Sequence, residues 1–268
     1  MKLSKLFGVG IMLMTLCSGS HLIADDDIYE YSKGEIILLN PSSLHPTQFL
    51  YSKLEVDSKV KELKGIMDTG GPEGVKRFLD EKKGEVVVGP RNKMWLVDGH
   101  HQAKALESLL KSDPRFAGLY FVVEVRNEWN ELTSQEFEAA MKAGNKKLKS
   151  DEPSYVYLRD QNGKIRSFKS LPRRLSSLKD YPWRSLVWML KERDVIDFVE
   201  RFPFQEFYLA EELRKKIPLP SKMTPKSYEK AFKRSVEVVG ELDEDKLFGF
   251  EVMSDTDCAR ILKRVNQK

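Results

Sequence analysis

The chain has 268 residues, 41% of them hydrophobic and 32% charged, enough for one large or two small folded units with well-solvated faces. The formal charge is only +4, so bulk charge gives no indication of a nucleic-acid or acidic partner. Only two cysteines, Cys17 and Cys258, are present, which excludes a disulfide-rich scaffold.

The N-terminus is basic at Lys2 and Lys5, apolar from Leu6 to Leu16, then small and polar up to Ala24 and the acidic run Asp25-Asp26-Asp27. That order predicts an export signal over residues 1–24, cleaved after Ala24. The mature protein is then periplasmic or secreted, with no integral membrane contact, because the apolar run is too short to span a bilayer. Leu16 is a poor residue before a lipidated cysteine, so Cys17 does not suggest a lipoprotein. After cleavage 43 basic side chains face 41 acidic ones, and Cys258 has no partner for an intrachain disulfide. Cys258 reads as a packed thiol.

Residues 35–39 read as the first strand. Two prolines, Pro41 and Pro46, keep the following segment extended or turning. Val56, Val60 and Leu63 share one face of a helix over 54–63, with Gly65 as its stop. Pro72 opens a second helix that ends at Gly84. Short strands follow at 85–89 and 94–97, joined by a turn through Pro90-Arg91-Asn92-Lys93. The helix over 103–110 comes next, then a strand over 119–125. Thr133-Ser134-Gln135-Glu136 is a capping box for a helix that ends at Gly144. Asn162-Gly163 marks a hairpin between 155–158 and 165–168. Helices are expected at 183–191, 206–216, 225–239 and 256–265.

The fold class is therefore α+β: a mixed-sheet portion over 25–150, then a β-hairpin and mostly helical portion over 151–268. Between Lys142 and Arg174, ten basic side chains stand against three acids. Such a run can attract polyanions or form a solvated face; no interleaved aromatics mark it as a base-stacking platform.

The most informative stretch is Leu96-Val97-Asp98-Gly99-His100-His101-Gln102-Ala103-Lys104-Ala105-Leu106. A strand, a glycine turn and a helix start leave backbone N–H groups unpaired, and the helix dipole adds partial positive charge. The junction thus suits a phosphate or carboxylate. His100 and His101 are candidate acid–base groups or phosphate ligands. Asp98 is a candidate general base, although capping the helix is the stronger reading. Thr47 and Gln48 can hydrogen-bond a ligand or stabilise their own turn. Asp98, His100 and His101 lack zinc-ligand spacing, so no metal site is expected. A magnesium ion held through ligand phosphates remains open, and no other cofactor is indicated. Arg184 and Glu206 are expected to form an ion pair tying the helical portion to the α+β portion, with Trp183 and Trp188 in the core.

Three stretches together carry a resemblance: Leu44-His45-Pro46-Thr47-Gln48, the Asp98–Leu106 junction, and Pro182-Trp183-Arg184-Ser185-Leu186 with Phe204-Gln205-Glu206-Phe207. In this order they resemble the ParB-like nuclease family, a branch of the ParB/sulfiredoxin superfamily. The resemblance covers about 36–217. It implies a small α+β domain whose glycine junction faces a nucleotide or nucleic acid phosphate, with Gly99, Gln102, Lys104, Gln48 and Thr47 as ligand-binding residues. Superfamily members hydrolyse nucleotides, reduce sulfinic acid with ATP, or phosphorylate free serine. The reading for this chain is a phosphodiester hydrolase, with a small-molecule kinase or a non-catalytic binding module as alternatives. His100 stands where sulfiredoxins carry their cysteine, which argues against sulfinic acid reduction. Gln102 stands where the family places an arginine, and a neutral amide lacks the charge and fork of a guanidinium.

Overall fold

The computed structural model describes residues 30–143, 155–199 and 203–253. The expected signal segment, Cys258, the helix at 256–265 and most of the expected domain boundary lie outside the described residues.

A five-stranded mixed sheet organises the first half, in the order β1 (Ile36–Leu39), β6 (Phe121–Glu128), β4 (Gly84–Gly89), β5 (Lys93–Asp98), β2 (His45–Pro46). β4 pairs antiparallel with β5 and parallel with β6; β1 runs antiparallel to β6, and β2 parallel to β5. β4 is the central strand. Its Val86, Val87 and Val88 are fully buried, as expected for a strand covered on both faces. Val86 and Val88 pack with α1 (Lys53–Glu81) and α2 (His100–Ser112) in the main core. Val87 faces the other way, into a small aromatic cluster with Phe137 and Phe168.

α1 differs from the expectation of two helices separated at Gly65. Its first segment runs on past Gly65, and the break lies at Gly71, whose φ of 59° interrupts the helix just before Pro72. Proline suits a first helical position and disfavours helical backbone before it, so the Gly71-Pro72 pair sets the kink. Helix α3 (Ser134–Ala143) begins at the expected capping box: Thr133 Oγ1 accepts from Glu136 N, and Glu136 accepts from Thr133 N at 2.9 Å. The expected hairpin is reduced to one antiparallel bridge, Arg159 with Ile165, closed by Asp160 N–H to the Lys164 carbonyl.

The second core is built by α4 (Pro182–Glu192), α5 (Gln205–Lys216) and α6 (Pro225–Gly240). A small ribbon of β8 (Ile196–Phe198) and β9 (Phe250–Val252), absent from the sequence expectation, closes one end. The two portions interleave. Leu50 of β3 (Leu50–Tyr51) lies in the helical core, where β3 pairs with β7 (Lys179–Asp180), whereas Leu175 and Leu178 return to the first core. Segment 45–52 is therefore shared by both cores, and the site forms beside it.

Candidate functional site: a cleft at the start of helix α2

β5 delivers the chain to Asp98, and Gly99 turns it into α2 with φ 85°. A side chain there would be strained. A Cβ on Gly99 would sit 3.0 Å from the Gly84 Cα and 3.1 Å from the Phe121 ring, in addition to the left-handed backbone. Gly84 has the same constraint in reverse: a Cβ there would meet the Phe121 ring at 2.6 Å. The two glycines let β4 and the β5–α2 turn touch.

Gly99 is the N-cap of α2 and has no side chain to satisfy the first turn. The backbone N–H groups of His100, His101 and Gln102 thus begin the helix without intrahelical partners. All four residues line a cleft of about 1100 Å³ between the sheet domain and the helical portion. Asp98 also faces this cleft; its Oδ1 accepts from Gly99 N at 2.7 Å and does not cap α2, contrary to the favoured sequence reading. Asp98 is exposed to solvent within the cleft, and partial desolvation by the cleft walls raises its pKa above the ordinary carboxylate value. The Gly99 N–H opposes that shift, and the Glu206 and Glu55 charges reinforce it. Glu85, beside it, is raised for the same first reason, against the pull of Arg126 at 2.8 Å.

The histidines face inward and hold segment 45–52. His100 Nε2 accepts from Thr47 N at 3.2 Å, and His101 Nε2 accepts from Ser52 N at 2.9 Å. Accepting at Nε2 requires a neutral ring with its proton on Nδ1. Burial and the neighbouring His101 lower the His100 pKa to about 3, despite a bond to the Leu96 carbonyl. Burial, followed by Arg184, drives His101 well below its ordinary value. Its Nδ1 lies 3.5 Å from Glu55 Oε2. The Ser52-Lys53-Leu54-Glu55 sequence has the form of a capping box, and Ser52 Oγ does accept from Glu55 N at 3.1 Å. Because His101 takes the Ser52 N–H, the Glu55 carboxylate is left to turn toward the cleft.

Glu55 meets Arg184 there. Arg184 Nη2 lies 3.0 Å from Glu55 and 2.8 Å from Glu206, whose other oxygen holds Lys191 at 2.7 Å. Burial acts to raise the Glu206 pKa, but Arg184 and Lys191 outweigh it and hold the carboxylate below its ordinary value. The expected Arg184–Glu206 pair exists, yet both partners sit on helical-portion elements. Glu55 of α1 makes the tie to the sheet domain.

The other expected ligand-binding residues separate into two groups. Gln48 and Gln102 line the cleft. Gln48 is committed, donating to the Leu50 carbonyl at 2.6 Å. Gln102 is 5% exposed and its Nε2 has no partner among the described residues. Thr47 is fully buried away from the cleft, with Oγ1 bound to the Leu96 carbonyl at 2.8 Å. Lys104 points elsewhere: its Nζ donates to the Leu175 carbonyl at 2.8 Å and lies 4.5 Å from the centre of the Tyr51 ring. The cleft residues not singled out from sequence include Glu55, Glu85, Arg126 and Lys59. Only Glu55 carried a signal, which pointed to a cap.

A family profile described as "Putative ParB-like nuclease" matches residues 38–215, about two-thirds of the chain and all of the cleft framework just described. The chain belongs to the ParB-like nuclease family. Among solved structures, the crystal structure of protein Atu1540 from Agrobacterium tumefaciens is similar, with a TM-score of 0.59 and 24% identity over 76% of this chain and 91% of that one. That likeness concerns the fold. A search of curated proteins gave no match.

Within the family's framework, this chain's cleft is mixed in charge. Glu55, Glu85, Asp98 and Glu206 share it with Lys59, Arg126 and Arg184. Among the described residues, no group of three or more His, Cys, Asp or Glu side chains is placed to hold a metal ion. A magnesium ion would have to be carried largely by ligand phosphates and water. Among the described residues, no helix is long and apolar enough to cross a membrane.

Proposed function

We propose that the protein binds a phosphate-bearing ligand, a nucleotide or a nucleic acid phosphate, at the first turn of α2. The observation that carries this reading is Gln102. A buried amide without an acceptor costs about 1–3 kcal/mol, and native folds keep few such groups without a reason. Gln102 lines the same cleft as Gly99, His100 and His101 of the uncapped first turn, and its Nε2 is buried with no hydrogen-bond partner among the described residues. A ligand oxyanion would satisfy both and interact favourably with the helix dipole. The amide thus supplies a donor where the family has a charged fork, so the binding is expected to be weaker and less salt-dependent than an arginine would give. A thermal-shift series with nucleotides and short oligonucleotides tests it. The expected result is stabilisation of the wild type, reduced at least tenfold in apparent affinity by Gln102→Ala. No stabilisation by any of these ligands would overturn it.

Phosphodiester hydrolysis is a second reading, favoured by Asp98. A cleft-facing carboxylate with raised pKa, next to the anion-binding turn, is suited to accept a proton from an attacking water. The histidines do not serve that role while their Nε2 atoms accept backbone N–H groups. Hydrolysis of a chromogenic phosphodiester by the wild type, lost in Asp98→Asn and retained in His100→Gln, is the expected pattern. Equal rates for the wild type and Asp98→Asn would remove Asp98 from the chemistry. Export remains part of this proposal. Fractionation of expressing cells, with mass spectrometry of the mature N-terminus, is expected to find the chain beginning at Asp25 outside the cytoplasm.

A further inference from the structure

Among the described residues, the ion-pair partners of Arg184 account for one of its three nitrogens. Its side chain is 3% exposed. Nη2 is held by Glu55 and Glu206, while Nε and Nη1 are buried and have no acceptor among the described residues. The guanidinium lies over the Phe207 ring, 5.6 Å from its centre, and Arg184 lines the cleft from α4. A guanidinium carries five donors and cannot shed its proton, so unmet N–H groups on a buried arginine call for a partner that arrives later. Charge does not supply the reason for these vacancies: Arg184 and Lys191 balance Glu55 and Glu206, and His101 is neutral beside them. The charges of the cluster thus balance, and the two carboxylates fix the guanidinium through Nη2.

We propose that Arg184 anchors the ligand's phosphoryl oxygens through Nε and Nη1, from the α4 side of the cleft. This rests on the reading of the α2 turn as a phosphate site. It adds that the ligand bridges two walls: Gln102 and the α2 N–H groups on the sheet-domain side, Arg184 on the helical side. The ligand class this points to carries two linked phosphoryl groups, one for each donor set. It also places Arg184 outside the purely structural role that its ion pairs alone would suggest.

Inorganic pyrophosphate is the probe, titrated calorimetrically into the full mature chain at constant ionic strength, for the wild type, Arg184→Lys and Gln102→Ala. Lysine keeps the charge near Glu55 and Glu206 but loses the planar donor set. The expected result is a loss of at least tenfold in affinity for each variant. Loss in Gln102→Ala with unchanged affinity in Arg184→Lys overturns the anchoring role and leaves the α2 site standing. Binding unaffected by either variant, or no binding by the wild type, overturns both. Should Arg184→Lys fail to fold, the Arg184 Nε–H resonance of the ¹⁵N-labelled wild type gives the answer. A shift on saturation with pyrophosphate is expected, and an unmoved resonance refutes the proposal.

Discussion

Acid should loosen this protein through His100, and the size of the effect follows from the ring's surroundings. The ring is 5% exposed and accepts the Thr47 N–H. Its pKa falls from the ordinary 6.5 to about 3 on folding. Below pH 6.5 the unfolded chain therefore binds a proton that the folded chain refuses. The contribution to stability is fully present above pH 6.5 and is lost as pH falls toward 3. Between pH 7 and pH 4.5 that single ring removes about 2.5 kcal/mol, from roughly 1.4 kcal/mol per pH unit over most of the interval. His101 acts in the same direction, whereas Asp98 and Glu85, with raised pKa values, gain stability on mild acidification. A comparison with His100→Gln isolates the ring, because a glutamine oxygen can take the Nε2 position without titrating. Urea unfolding followed by tryptophan fluorescence at pH 7 and pH 4.5 measures it. The wild type should lose about 2.5 kcal/mol more than the variant across that interval. An equal loss in both proteins would refute the assignment of His100 as a buried neutral bolt.

The Gly99→Ala variant should be destabilised by about 2–4 kcal/mol in the same assay, about 1–2 from the left-handed backbone and the rest from displacing Gly84 and Phe121. Ser52→Ala removes the cap on α1 and the 3.0 Å bond to Ser185, and should cost about 1–2 kcal/mol. Thr133→Ala removes the capping box at the exposed start of α3, with an expected loss of about 1 kcal/mol that local hydrogen exchange in residues 134–137 would report. Lys104→Met should leave pyrophosphate affinity within twofold of the wild type, since Lys104 serves Leu175 and Tyr51 rather than the cleft; a tenfold loss would return it to the site.

Much of the site's frame was legible in the chain itself. The apolar run Met94 to Val97, the Asp98-Gly99 turn and the Ala103–Leu110 run mark strand, turn and helix through local backbone chemistry alone. The capping box at Thr133 and the Gly71-Pro72 break obey equally local rules, although the break was displaced in the expectation to Gly65. There, glycine's helix penalty of about 1 kcal/mol is outweighed by packing of Leu63 and Met67 in the core. The ribbon of β8 and β9 was not legible, because Ile196 and Val252 meet across more than fifty residues.

Side-chain direction at the junction depended on tertiary structure. Sequence placed two histidines, a glutamine and a lysine at the start of α2. It could not say that segment 45–52 passes close enough to use both imidazoles, leaving them neutral and occupied, or that Leu175 returns to claim Lys104. Nor could it show that Ser52 gives its N–H to His101, which turns Glu55 toward Arg184. Local propensity fixes where a helix begins, since capping and backbone strain act over a few residues. Which of its groups remain free for a ligand depends on what packs against them from distant parts of the chain. Here that packing leaves Gln102 and Arg184 with donors unspent.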